Sequence, residues 1–338
     1  MISLPPTRQT TNKMKRLYLL LSLLSVMAFL HAANRYDNPD TLFVARDGTA
    51  EFRNVDDAIE VCRAFMDYHK VIYVKKGVYK EKLTVPSWLS HIEICGEDRD
   101  STIITYDDHA NIKMPGTDRK MGTFRTYTLK IQGNYITLKN ITIENNAARL
   151  GQAVALHTEG DHLVFLNCRF LGNQDTVYTG TAGTRLYFKD CFIEGTTDFI
   201  FGPSTAWFEH CMIKSKLNSY ITAASTPSGQ AFGYVFNHCR LVAAPGVDHV
   251  YLGRPWRPYS CVIYMNCEMG RHICPEGWDN WRNLENEKTA RYSEYHSTGE
   301  GAKSKERVSW SHQLSKADAT SITLERVFRQ DNTWVPAP

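Results

Sequence analysis

Five segments of the chain share one alternation of apolar and polar positions: VFLNCRF (164–170), YFKDCFI (187–193), WFEHCMI (207–213), VFNHCRL (235–241) and IYMNCEM (263–269). Each reads large apolar, aromatic, variable, polar, cysteine, variable, apolar. An earlier copy, LKNITI (138–143), carries Ile141 in the cysteine place, and the steps between cysteines are 23, 20, 28 and 28 residues. Repetition at this period marks a stacked architecture. The segments are short, β-branched and aromatic, with Gly, Asn and Asp between them, so they read as strands. The pattern predicts an all-β fold, a single-stranded parallel β-helix with one repeat per turn, in which equivalent residues form ladders. One helix stands out: Val55, Ala58, Ile59, Cys62 and Phe65 share a helical face, with Asn54 placed to cap it. It would cover the open N-terminal end of the solenoid, where strand edges are otherwise unpaired. After about residue 270 the repeat decays. Trp278, Trp281, Tyr292, Tyr295 and Trp310 lie among polar residues there, which predicts a C-terminal tail folded back along the solenoid.

Lys13, Lys15 and Arg16 precede an apolar run from Leu17 to Leu30, followed by Ala32 and Ala33. The run has signal-peptide length and is short for a membrane span. Residues 1–33 are therefore expected to be a leader and signal peptide, with Met14 as an alternative start and 34–338 as one catalytic domain. A secreted or periplasmic protein is expected, with no membrane association after cleavage. Lys and Arg exceed Asp and Glu by only three in 338 residues, too little to point to nucleic acid. The cysteine column reads as a small apolar ladder inside the coil. Strand spacing also permits pairing between rungs. No tight cysteine pair has zinc spacing.

The cysteine register also places chemistry. Asp175 in GNQDT and Asp198 in DFIFG each follow their cysteine by seven residues, so the two carboxylates are expected on adjacent rungs. Gln152 lies 22 residues before Gln174, about one coil earlier. Carboxylates held that close resist joint ionisation, which makes one an acid and the other a nucleophile or base. An arginine beside one of them, as Arg254 in LGRPW could be, decides which stays ionised. Two neutral amides supply N–H donors without charge, the chemistry of an oxyanion hole for acyl transfer. Alone, an Asp beside a Gly is most often a turn residue; it is the common register that favours a site.

These motifs, with FVARDG (43–48), GVYKE (77–81), GTF (122–124), GQAVAL (151–156) and PEGW (275–278), resemble the pectin methylesterases (pectinesterases) over nearly the whole mature chain. The resemblance implies a right-handed parallel β-helix that hydrolyses galacturonate methyl esters of pectin (homogalacturonan), with no cofactor and no metal. It implies Asp198 as nucleophile, Asp175 as acid and then base, Gln152 and Gln174 as oxyanion donors, and Arg254 as the partner of Asp198. Trp256 would stack on the sugar, with Thr123, Phe201 and Trp278 as further groove residues. No long helical prodomain precedes the catalytic part, and the segments 176–188 and 246–251 depart from the plant pattern. The resemblance is therefore to a bacterial-type member, expected as a monomer. Three alternatives stand beside this reading: a lyase or polygalacturonase on the same fold, an esterase for another substrate, and a non-catalytic polysaccharide-binding scaffold. Methanol release from an intact polymer separates the first.

Overall fold

The computed structural model describes Tyr18 and residues 40–65, 68–329 and 334–336. The predicted leader and the domain start at residue 34 lie outside the described residues, Tyr18 excepted. The repeat winds into a right-handed parallel β-helix with three sheets. The first has eleven strands, from Thr41–Val44 through Lys70–Val74 to Arg291–Tyr295 and His312–Gln313. The second has eight, from Gly77–Lys80 to Glu268–Met269, and the third seven, from Leu83–Val85 to Tyr251–Gly253. Neighbouring strands within each sheet are parallel, as in Arg185–Lys189 beside Thr205–Glu209.

The cysteine motif turns the corner between the first and second sheets. The polar residue before each cysteine, Asn167, Asp190, His210, His238 and Asn266, has φ between 50 and 55°. Short polar side chains tolerate this left-handed conformation better than β-branched or bulky ones, which accounts for the repeated polar position. Cys168, Cys191, Cys211, Cys239 and Cys267 then point inward, buried and unpaired. Each thiol meets a carbonyl of the coil before it: Cys168 Sγ lies 3.4 Å from Leu138 O, and Cys239 Sγ 3.3 Å from Phe208 O. Burial pushes the Cys168, Cys211 and Cys267 thiols well above their ordinary range. The aromatic position forms a second ladder, Phe165–Phe188–Phe208–Phe236–Tyr264, with ring centroids 4.4 to 4.6 Å apart. That spacing matches the ~4.8 Å step between strands, so the stacking follows from the coil rise.

The ends of the solenoid differ from the expectation in detail. The capping helix spans only Val55–Glu60 and buries Val55, Ala58 and Ile59. Asn54 makes no capping bond; its amide instead lies 3.0 Å from Asp57 Oδ2. The Glu81 carboxylate, from the next coil, accepts from the backbone N–H groups of Val55 (2.9 Å) and Asp56 (3.0 Å). A full negative charge suits the free N–H groups of a helix start better than an amide oxygen does. Phe65 lies beyond the helix, at φ 59°, and is exposed.

At the other end the solenoid runs past residue 270, because Arg291–Tyr295 and His312–Gln313 continue the first sheet. Ser297 takes the cysteine place there, after His296 at φ 50°. The tail that folds back begins only after these strands. Helices Lys316–Ser321 and Leu324–Phe328, capped by the side chains of Ser315 and Thr323, lie on the outer face of the first sheet. That face carries Tyr187, Trp207, Val235 and Ile263 in one column, covered by Ala319, Val327 and Phe328.

Candidate active site

The third sheet alternates like any strand stack, one residue in and one out. Val177, Ile200, Thr222 and Gly253 share the inward register; Tyr178, Phe201 and Ala223 share the outward one, and Arg254 follows Gly253. Asp175 and Asp198 stand two residues before equivalent strand positions, at the corner where the coil enters this sheet. Asp175 N–H donates to Thr197 O on the next coil (3.1 Å), and Asp198 N–H to Tyr220 O on the one after (2.9 Å). Both aspartates are left-handed, with φ of 67° and 50°. The register deduced from the cysteines therefore holds, and the carboxylates are one coil apart.

Arg254 lies two coils beyond Asp198 and reaches back to it. Its Nε and Nη2 donate to the two carboxylate oxygens of Asp198, at 2.9 and 2.6 Å. The guanidinium passes between two rings, 3.8 Å from the Tyr220 centroid and 3.7 Å from that of Trp281. These rings hold the arginine in plane while leaving its edge free for the carboxylate, a role lysine could not fill.

The two carboxyl groups occupy different electrostatic positions. Burial and the neighbouring Asp198 charge push the Asp175 carboxyl well above the usual range, only partly offset by Arg254. Burial also raises Asp198, but its hydrogen bonds and charge pairing with Arg254 oppose that shift. The asymmetry favours proton retention at Asp175 over Asp198.

Both acids open onto a cleft of about 290 Å³. Gln152 and Gln174 line it, half-buried, and neither side-chain amide is engaged by another described protein group. Thr123, Phe201 and Trp256 also line it, as the sequence placed them. Trp278 does not. It sits in the core, 1% exposed, its ring 4.3 Å from Tyr292 and 5.9 Å from Tyr264. The reason is parity: Trp278 bridges to Gly253 in the inward register, so its indole extends the internal aromatic ladder. Trp281 occupies the cleft wall instead, and Phe124 and Ala223 complete it. Tyr178 also belongs to the apolar strip, with Phe124 and Phe201 at 4.8 and 4.7 Å. Tyr178 and Phe201 each follow their cysteine by ten residues, so the repeat contained the signal for Tyr178. No repeat signal marked Trp281, which comes from the irregular segment between coils.

A parallel β-helix bearing an arginine-paired carboxylate beside a second, buried carboxyl, in a cleft with free amides, belongs to the class of carboxylic ester hydrolases built on a solenoid. The comparisons narrow this: the pectinesterase family pattern matches residues 41–331, and the chain belongs to the pectinesterase family. Pectinesterase 31 of Arabidopsis thaliana is 39% identical over 299 residues, covering 86% of this chain and 94% of the relative. Among solved structures, the carrot pectin methylesterase is 30% identical with a TM-score of 0.76, over 87% of this chain and 98% of that one. A pectin methylesterase solved in complex with a hexasaccharide is 27% identical with a TM-score of 0.75, over the same shares.

Proposed function

We propose that the protein demethylates pectin through a covalent acyl-enzyme formed on Asp198. The observation that carries this reading is the pairing of a bidentate Asp198–Arg254 ion pair with a second, buried carboxyl at Asp175 one coil away in an open cleft. The Asp198 carboxylate attacks the C6 carbonyl of a methyl galacturonate. The resulting oxyanion takes N–H bonds from Gln152 and Gln174, which carry no charge to compete for the acids. The tetrahedral centre collapses, the C–OCH3 bond breaks, and Asp175 gives its proton to the departing methanol. A mixed anhydride remains on Asp198. Asp175, now ionised, takes a proton from water as that water attacks the anhydride. Galacturonate is released, Asp198 is again a carboxylate and Asp175 is again protonated.

Arg254 keeps the nucleophile ionised despite burial and orients both oxygens. Trp256, Phe201 and Thr123 offer a wall on which a sugar ring can stack, with Phe124 and Trp281 beside them. The hexasaccharide held by a similar pectin methylesterase supports a polysaccharide substrate for this cleft. Export through the leader at 1–33, a monomeric state and a metal-free reaction belong to the same reading.

Methanol release from highly methylated pectin tests it. Asp198→Ala and Asp175→Ala should each lose on the order of 10³-fold or more in kcat while keeping the far-UV spectrum of the fold. Gln174→Ala should lose about 2 to 4 kcal/mol of transition-state stabilisation. Substantial turnover by Asp198→Ala would remove the covalent mechanism, and chain cleavage without methanol would remove the esterase reading.

A further inference from the structure

A second constellation of reactive side chains lies away from the cleft, at the corner between the first and second sheets. Glu209 ends the strand Thr205–Glu209, and His210 follows it at the left-handed corner. His238 occupies the same corner one coil on, tied to it by His210 N–H donating to Asn237 O (3.1 Å). The two imidazoles stack with centroids 5.1 Å apart and planes 22° from parallel. Glu209 Oε1 lies 3.0 Å from His238 Nδ1 and 3.3 Å from His210 Nε2.

We propose that Glu209, His210 and His238 form a binding site for a divalent zinc-like cation that clips two neighbouring coils together. Ligands around tetrahedral zinc sit ~2.0 to 2.1 Å from the metal, which puts them roughly 3.3 Å from one another. Both measured separations from the carboxylate oxygen fall near that value, and the three donor atoms all lie within 4.8 Å of one another. Little rearrangement is needed to load the site. Imidazole nitrogen favours zinc, copper and nickel over magnesium or calcium.

The carboxylate is also held from behind, as metal-bound carboxylates generally are. Glu209 Oε2 accepts from Trp207 Nε1 (2.7 Å) and Asn237 Nδ2 (3.0 Å), which aims Oε1 at the histidines. Asn237 Nδ2 also lies 2.9 Å from His238 Nδ1; on loading, the amide keeps its carboxylate contact and yields the ring nitrogen to the cation. The side chains of His210 and His238 are 54% and 49% exposed, so the cation enters directly from solvent and water completes its shell.

Repetition explains why the ligands converge. From Asn140 onward the corner position is polar and its φ positive, and two successive coils fill it with histidine. The strand before supplies the carboxylate. The site is separate from the third-sheet cleft, so its occupancy should raise stability without entering the reaction.

Calorimetric titration of the metal-stripped whole protein with ZnCl2, beside thermal unfolding with and without the ion, tests this. The double variant His210→Asn/His238→Asn keeps a side chain suited to the left-handed corner, so folding is preserved. Wild type should take up one equivalent of Zn2+ and unfold at higher temperature in its presence. The double variant should bind at least tenfold more weakly and show no thermal shift, with methanol release unchanged. MgCl2 at equal concentration should shift neither protein. Absence of Zn2+ binding to wild type would overturn the proposal. So would Zn2+ binding that survives the double substitution, which would place it elsewhere, as at the His249, Cys274 and Glu276 group.

Discussion

At the scale of single residues, the chemistry rests on two aspartates made unequal by their neighbours. Their titrations are linked, so the pH profile of kcat/KM reports the pair and not either residue. Activity should fall on the acid side as Asp198 takes up a proton, and on the alkaline side as Asp175 loses its own. Pectin-independent unfolding offers a separate check. Because the folded Asp175 carboxyl is raised above an unfolded value near ~3.9, its contribution to stability is present below that value and is lost as pH rises through the folded one. Asp175→Asn removes that titration. The variant should be inactive yet more stable than wild type at neutral pH, with the gain shrinking as pH approaches 4; urea midpoints at several pH values measure it. Trp281→Leu should loosen one face of Arg254 and lower kcat more than it raises KM, as steady-state methanol kinetics would show. The aspartate pair was legible from the chain because both acids keep one distance from the cysteines. The fate of Trp278 was not, since its inward parity depends on a bridge to Gly253 formed after an irregular segment.

At the scale of elements, the left-handed corner is what the repeat encodes most directly. Asp190, at φ 54°, is a fair test. Asp190→Val should cost about 1 to 2 kcal/mol more than Asp190→Gly, because a β-branched residue clashes in this conformation. Denaturant unfolding of the two variants compares them. The coil pattern was readable because each coil from Asn140 onward repeats the same steric demand. The helix cap was not, because Glu81 reaches Val55 and Asp56 across 26 and 25 residues of chain and no local motif announces it. The same holds for the last coil, where Ser297 takes the cysteine place and Glu294 the place of the aromatic ladder.

At the scale of the whole molecule, the solenoid has one outer face that water cannot be left to cover. The column Tyr187, Trp207, Val235 and Ile263 is capped by a tail whose Phe328 is fully buried. Phe328→Ala should cost about 3 to 5 kcal/mol and increase binding of a hydrophobic dye, with kcat unchanged in molecules that remain folded. The tail has a further consequence in time. A ribosome delivers the chain from its N-terminus, so the catalytic coils can wind and the acids at 175 and 198 can meet before residues 316–328 exist outside the tunnel. During that interval an apolar stripe spanning four coils stands bare. Nascent chains should therefore be most prone to clump late in synthesis, in the short period before their final segment arrives to close the seam.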